Sequence, residues 1–161
     1  MCALRLDGRA TTHHAPLTLD THTMNRYAAA YAGTATVMVA LDLLWLGIIA
    51  KPLYQQGIGH LMAEQPVVPV AVLFYLLYAL GVVVFAVAPQ LASAARRGWA
   101  GTLGMAALFG FIAYATFDLT NLATLKGWPL GLSLIDMAWG TVVSTASAAG
   151  GKTALDWATR A

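Results

Sequence analysis

Four long apolar runs, separated by short polar stretches, organise the chain: Tyr27–Ala50, Val67–Ala88, Trp99–Leu125 and Leu130–Gly151. Each can cross a hydrocarbon core of about 30 Å, which takes roughly 20 helical residues. None alternates with period two, and lipid admits only helices or closed barrels, so the runs predict helices. Prolines fall where a missing amide proton matters least. Lys51-Pro52 stops the first run, Pro66 and Pro69 flank the start of the second, Pro89 closes it and Pro129 opens the fourth. The expected fold class is all-α, a polytopic membrane bundle of four transmembrane helices at about 27–50, 67–88, 99–125 and 130–151. Small residues recur at helical spacing in Ala100/Gly104, Ala106/Gly110 and Ala146/Gly150. Such pairs let backbones approach closely and predict a compact bundle.

Composition agrees. Of 161 residues, 59% are hydrophobic and 10% charged, with a mean hydropathy of +0.68. A soluble domain carries about 25% charged residues, so a globule of this composition would lack polar surface. Disordered, collagenous and disulfide-scaffold classes are excluded on the same grounds. The net charge is +2 without a basic patch that could track phosphates, so no nucleic acid is expected as a partner. Cys2 is the single cysteine, which leaves no material for a thiol relay or a cysteine-ligated metal within one chain.

The charges sort by membrane side. With four spans, Arg26, Arg96, Arg97, Lys152 and Arg160 lie on one side, and Lys51 and Lys126 on the other. The positive-inside rule makes the first side, with both termini, cytoplasmic, and the expected location is a bacterial inner membrane. Residues 1–23 are polar and lack the apolar core of a signal peptide, and they read as a disordered or misannotated leader with translation starting at Met24. Residues 24–152 form the transmembrane domain and 153–161, with Asp156 and Trp157, a short cytoplasmic tail. Trp99 and Trp128 suit the two interfacial aromatic belts.

Three of the seven acids, Asp42, Asp118 and Asp136, fall inside the runs. An aspartate at a helix centre opposes insertion by about 2.5–3.5 kcal/mol, so intramembrane acids are site candidates by default. At a rise of about 1.5 Å per residue, all three lie roughly 9–12 Å below the outer surface, and Tyr75 falls at the same level. Phe111, Tyr114, Asp118 and Asn121 follow one helical stripe, as do Asp136, Trp139, Gly140 and Val143. Tyr75 and Tyr78 share a face on the second helix, and Asp42 and Trp45 on the first. Trp139 lies too deep for a belt residue, so its indole N–H needs a partner, for which an aspartate is the obvious acceptor. Thr116, Thr120 and Thr124 recur every four residues and are explained by bonds to their own helix. With no intramembrane Lys, Arg or His to balance them, either some carboxyls hold a proton at neutral pH or a cation sits among them. No metal or cofactor is called for.

Asp42-Leu-Leu-Trp45-Leu-Gly47, Pro52-Leu-Tyr54, Phe74-Tyr75-Leu-Leu-Tyr78, the run from Tyr114 to Pro129 and Asp136-Met-Ala-Trp139-Gly140 resemble a bacterial family of predicted four-helix integral membrane proteins of unknown function. The resemblance spans roughly Met24 to Lys152, with Phe117 standing where many relatives would have Tyr. It implies the topology and confers no activity. An association with genes for fatty-acyl modification comes with it.

Three roles fit these residues. In the first, the layer binds or transports a proton, cation or small solute, and a homodimer is the natural unit because four helices leave little room for alternating access. In the second, the carboxylates act as general acid and base in an enzyme of fatty-acyl or isoprenoid lipid modification. The third is a structural subunit of a membrane complex. Under each, the candidate site residues are Asp42, Asp118, Asp136, Asn121, Tyr75, Tyr78, Tyr114, Trp139 and Trp45.

Overall fold

The computed structural model describes residues 21–90 and 98–160, which are helical apart from short turns. The expectations for residues 1–20 and for the basic pair Arg96-Arg97 lie outside the described residues. Helix α1 covers Thr21–Leu44 and winds without a break into a π-helical turn, Trp45–Ile49. A short helix α2, Lys51–Ile58, follows. Helix α3, Val68–Val82, likewise runs into a π-helical turn at Val83–Val87. Helices α4, Trp99–Thr124, and α5, Leu130–Arg160, complete the fold.

Helix α5 is the axis of the bundle. Helix α1 packs antiparallel along one side of it, and α4 antiparallel along another. Both seams are built from small residues. A side chain at Gly110 would strike the Gly140 carbonyl and Ser144, and one at Gly140 would strike the Tyr114 ring. Gly33 and Gly150 meet in the same way between α1 and α5. Of the small pairs noted in the sequence, those ending in Gly110 and Gly150 lie at crossings, whereas Gly104 faces open space. Helix α3 closes the core with Tyr78, Ala79, Val82 and the buried face of its π-turn. Tyr31 ties it to α1 by donating to the Leu76 carbonyl at 3.1 Å.

Three helical stretches are long and apolar enough to cross a membrane: Thr23–Ile49, Val68–Val87 and Trp99–Thr124. The expected fourth, on α5, does not stand out by hydropathy, and packing explains why. The polar residues Ser133, Asp136, Ser144, Ser147 and Lys152 of α5 are all buried against neighbouring helices. A helix enclosed by protein need not be apolar to avoid contact with lipid. The outer surface carries exposed Leu, Ile, Val and Phe side chains on α1, α3 and α4, and the outer face of α5 adds Leu130, Leu134, Ile135 and Val142. Helix α5 also runs past the expected end at Gly151 to Arg160, where Arg26 of α1 donates to the Thr159 hydroxyl at 3.0 Å. Leu155 is buried there, so residues 153–160 continue the bundle as helix.

One further expectation is corrected. Phe111 does not share the inward stripe of Asp118 and is 47% exposed. The α4 seam steps through Thr102, Ala106 and Gly110, residues small enough for close approach, which turns the neighbouring large ring outward. The stretch after the first run is itself helical, because Pro52 sits in the first turn of α2, where its fixed φ favours a helix. Helix α2 folds over the end of the bundle, with Gly57 against Pro129 and Leu132.

Candidate functional site

All five helices contribute to one cavity of about 540 Å³. From α1 and its π-turn come Asp42, Trp45 and Leu46, from α2 Tyr54 and Ile58, and from α3 Ala71, Phe74, Tyr75 and Tyr78. Helix α4 supplies Ala113, Tyr114 and Phe117, and α5 supplies Asp136 and Trp139. The helical spacing of these residues explains the convergence: Asp136 and Trp139 are one turn apart on α5, as are Tyr75 and Tyr78 on α3. The charged residues in this lining are the two aspartates.

Each of the two carboxylates is anchored by an aromatic donor. The Trp139 indole N–H donates to Asp42 Oδ1 at 2.9 Å, the bond expected of so deep a tryptophan. Trp139 also stacks on Trp45, with ring centroids 4.3 Å apart and planes inclined by 6°. Trp45 is the first residue of the π-turn that follows Asp42, and such turns often occur at functional sites. The Tyr54 hydroxyl donates to Asp136 Oδ1. Burial and this bond hold the Tyr54 phenol well above the usual tyrosine range, so at neutral pH it is a donor. The Trp45 indole N–H lies near the Tyr54 hydroxyl without closing a hydrogen bond.

Tyr78, on the cavity wall, is hydrogen-bonded through its hydroxyl at 2.8 Å to that of Ser144, which is buried behind the lining. The Tyr78 ring meets Phe109 and Tyr114 edge to face, at 5.3 and 6.2 Å between centroids. Tyr75 is half-buried and close enough to Asp42 to interact with it.

The third aspartate is placed differently. Asp118 is fully buried between α4 and α5, next to Ser133 and Trp128, and within electrostatic reach of Asp136. It does not line the cavity, because Tyr114, one turn earlier, occupies the α4 position that faces the opening. Both Asp118 carboxylate oxygens lack a hydrogen-bond partner among the described residues. Asn121, in the last turn of α4, is half-buried and lies away from the cavity lining. The acids expected in one layer thus form a cavity pair, Asp42 and Asp136, with Asp118 packed behind Asp136.

Trp128 points inward as well, donating to Ser133 at 3.0 Å and packing on Phe117. At the opposite end, Trp99 lies under the Lys152 ammonium, 4.9 Å from its ring centroid, and Lys152 pairs with Asp156 at 3.0 Å. Thr116 and Thr124 donate to carbonyls of their own helix, each at 2.7 Å, and Thr120 does the same.

Sequence reasoning missed Tyr54 as a member of this site and Ser144 as the support of Tyr78. Tyr54 carried a signal: Leu53, Tyr54, Gly57 and Ile58 follow the i, i+1, i+4, i+5 pattern of a helix with one packed face. Ser144 carried none beyond being polar within an apolar run.

No curated protein and no solved structure matches the chain. A family model described as predicted membrane protein (DUF2177) matches residues 27–153, a stretch that contains every residue lining the cavity. On the extent of that match, this chain belongs to the DUF2177 family of predicted membrane proteins, whose function is unknown.

Proposed function

We propose that this protein is a four-span membrane carrier that binds a proton, cation or small solute in the cavity between its helices, with Asp42 and Asp136 as the charged part of the site. The observation that carries this reading is the convergence of five helices on one cavity whose charged lining consists of two carboxylates. A pair of acids enclosed in this way attracts positive charge and repels anions. Their aromatic donors, Tyr54 and Trp139, hold them in place for a ligand.

In this reading α5 is the fourth span. Support comes from its course beside α1, from the Asp42–Trp139 bond through the Gly33–Gly150 crossing to the Arg26–Thr159 bond. An element that accompanies a spanning helix over that length crosses the same bilayer. Arg26, Lys152 and Arg160 gather at one end and Lys51 and Lys126 at the other, which favours a cytoplasmic position for both termini of the bundle. A bacterial inner membrane is the setting this topology fits. The transporting unit is a homodimer, since one small bundle leaves little room for alternating access.

Reconstitution of the full chain in proteoliposomes tests the function. Under an imposed pH or cation gradient, the protein is expected to increase flux over empty vesicles, and Asp42→Asn and Asp136→Asn each to reduce the increase at least tenfold. Vesicles as tight as empty ones towards protons, Na⁺, K⁺ and organic cations would remove the proposal.

A further inference from the structure

The walls of the cavity say more about its occupant than its charge does. Apart from Asp42 and Asp136, its polar side-chain groups are tyrosine hydroxyls and indole N–H groups, and most of the enclosing surface is ring: Trp45, Trp139, Phe74, Tyr75, Tyr78 and Tyr114. Aromatic faces are negative in their quadrupole, and a desolvated cluster of them attracts cations that shed their water readily. The geometry points to an organic ammonium ion as the ligand, its alkylated nitrogen held by the carboxylates and enclosed by the rings. This rests on the reading of the cavity as the binding site.

Other occupants fit less well. A divalent metal demands about six oxygen ligands at close range. Here one oxygen of each carboxylate already accepts a bond, Asp42 from Trp139 and Asp136 from Tyr54. No group of three His, Cys, Asp or Glu side chains converges to hold a metal among the described residues. A bare proton needs no room, whereas about 540 Å³ lies within the range of small-molecule pockets. An anion would meet two carboxylates and no Lys, Arg or His in the lining. A sugar would want several free hydrogen-bonding groups, but the Tyr54 and Tyr78 hydroxyls and the Trp139 N–H are already engaged.

The stacked tryptophans suit this role. Their parallel rings present a flat π-surface beside the Asp42 carboxylate, so a substituted nitrogen meets the charge on one side and a ring on the other. The first half of α3, which bears Ala71, Phe74 and Tyr75 of the cavity wall, is otherwise covered with exposed Val and Leu. A ligand with apolar substituents matches that approach better than a fully hydrated ion does.

Calorimetric titration of the full chain in detergent tests the inference, with choline and benzyltrimethylammonium as probes against the uncharged tert-butyl isostere of choline. Saturable binding of both cations is expected, with the isostere at least tenfold weaker. Asp42→Asn and Asp136→Asn should each weaken cation binding at least tenfold, Trp45→Leu should do so as well, and Trp45→Phe should retain most of the affinity. The comparison of cation with isostere uses the unaltered protein, so it stands even where a variant fails to fold. Equal binding of the isostere, or no saturable binding of either cation, overturns the ligand class. Binding of Na⁺, or proton flux, lost in the aspartate variants without any ammonium binding would overturn the class and leave the carrier reading standing. Absence of every one of these signals would remove both.

Discussion

At the scale of the residue, two aspartates that share a cavity are held by different means. Asp42 is fixed from within the bundle by Trp139, a residue locked in turn by its stacking on Trp45. Asp136 is fixed by Tyr54, which belongs to the connecting helix α2. The sequence made the first arrangement legible, because a tryptophan deep in a span needs an acceptor and the spacing offered an acid. It concealed the second, because the Tyr54–Asp136 pair joins residues far apart in the chain and Tyr54 lies outside the apolar runs. Tyr54→Phe should therefore cost about 1 kcal/mol of stability at neutral pH, the worth of one buried hydrogen bond. The phenol is raised in the folded protein, so this contribution is fully present below the ordinary tyrosine value of 10.0 and fades as the pH rises through the higher folded value. Thermal unfolding of the two proteins in detergent across that range checks it. A stability difference that vanished well below pH 10.0 would contradict the assignment.

At the scale of the element, packing follows residue size more than hydropathy. Helix α5 is the most enclosed of the long helices and the one without a stretch apolar enough to stand out as a span, and these properties have one cause. Its serines, Gly140, Gly150, Gly151 and Asp136 face neighbouring helices, so it needs less apolar surface of its own. Reading the chain as apolar runs captured the existence of all four long helices and placed most boundaries within a turn, because a run of some twenty apolar residues admits no other structure in lipid. It misjudged the rotation of α4, since the large Phe111 and the small Gly110 are adjacent and hydropathy alone does not say which faces the seam. It also weighted the small-residue pairs equally, although only some lie at crossings. Gly110→Ala should destabilise the protein by about 1–3 kcal/mol, because the added carbon meets a backbone carbonyl that cannot turn away. Gly104→Ala, with open space around it, should be neutral or stabilising by up to about 1 kcal/mol. Parallel unfolding curves decide the point, and equal losses in both variants would refute the seam.

At the scale of the whole molecule, the bundle encloses small and apolar side chains together with a set of buried polar ones and turns large apolar side chains outward, arranged around a cavity near the end that carries α2 and the turn from α4 to α5. Family membership agrees with the membrane reading and leaves the activity to be found through the site. The proposed topology makes a separate prediction. In a Cys2→Ser background, Leu61→Cys, at the α2 end, should react with an impermeant maleimide in intact cells. Trp157→Cys, on the exposed face of α5 at the other end, should react only after permeabilisation. Labelling of both positions in intact cells would rule out the fourth span, and the reverse pattern would invert the orientation.

Whether the cavity lined by Asp42 and Asp136 takes a ligand is decided by a high-resolution structure of the protein in lipid with an organic ammonium ion present. Density for the ion is expected between the two carboxylates, flanked by the paired rings of Trp45 and Trp139, with Tyr54 still bonded to Asp136. A cavity closed by its own side chains, or one filled by an acyl chain lying away from both aspartates, would contradict this expectation.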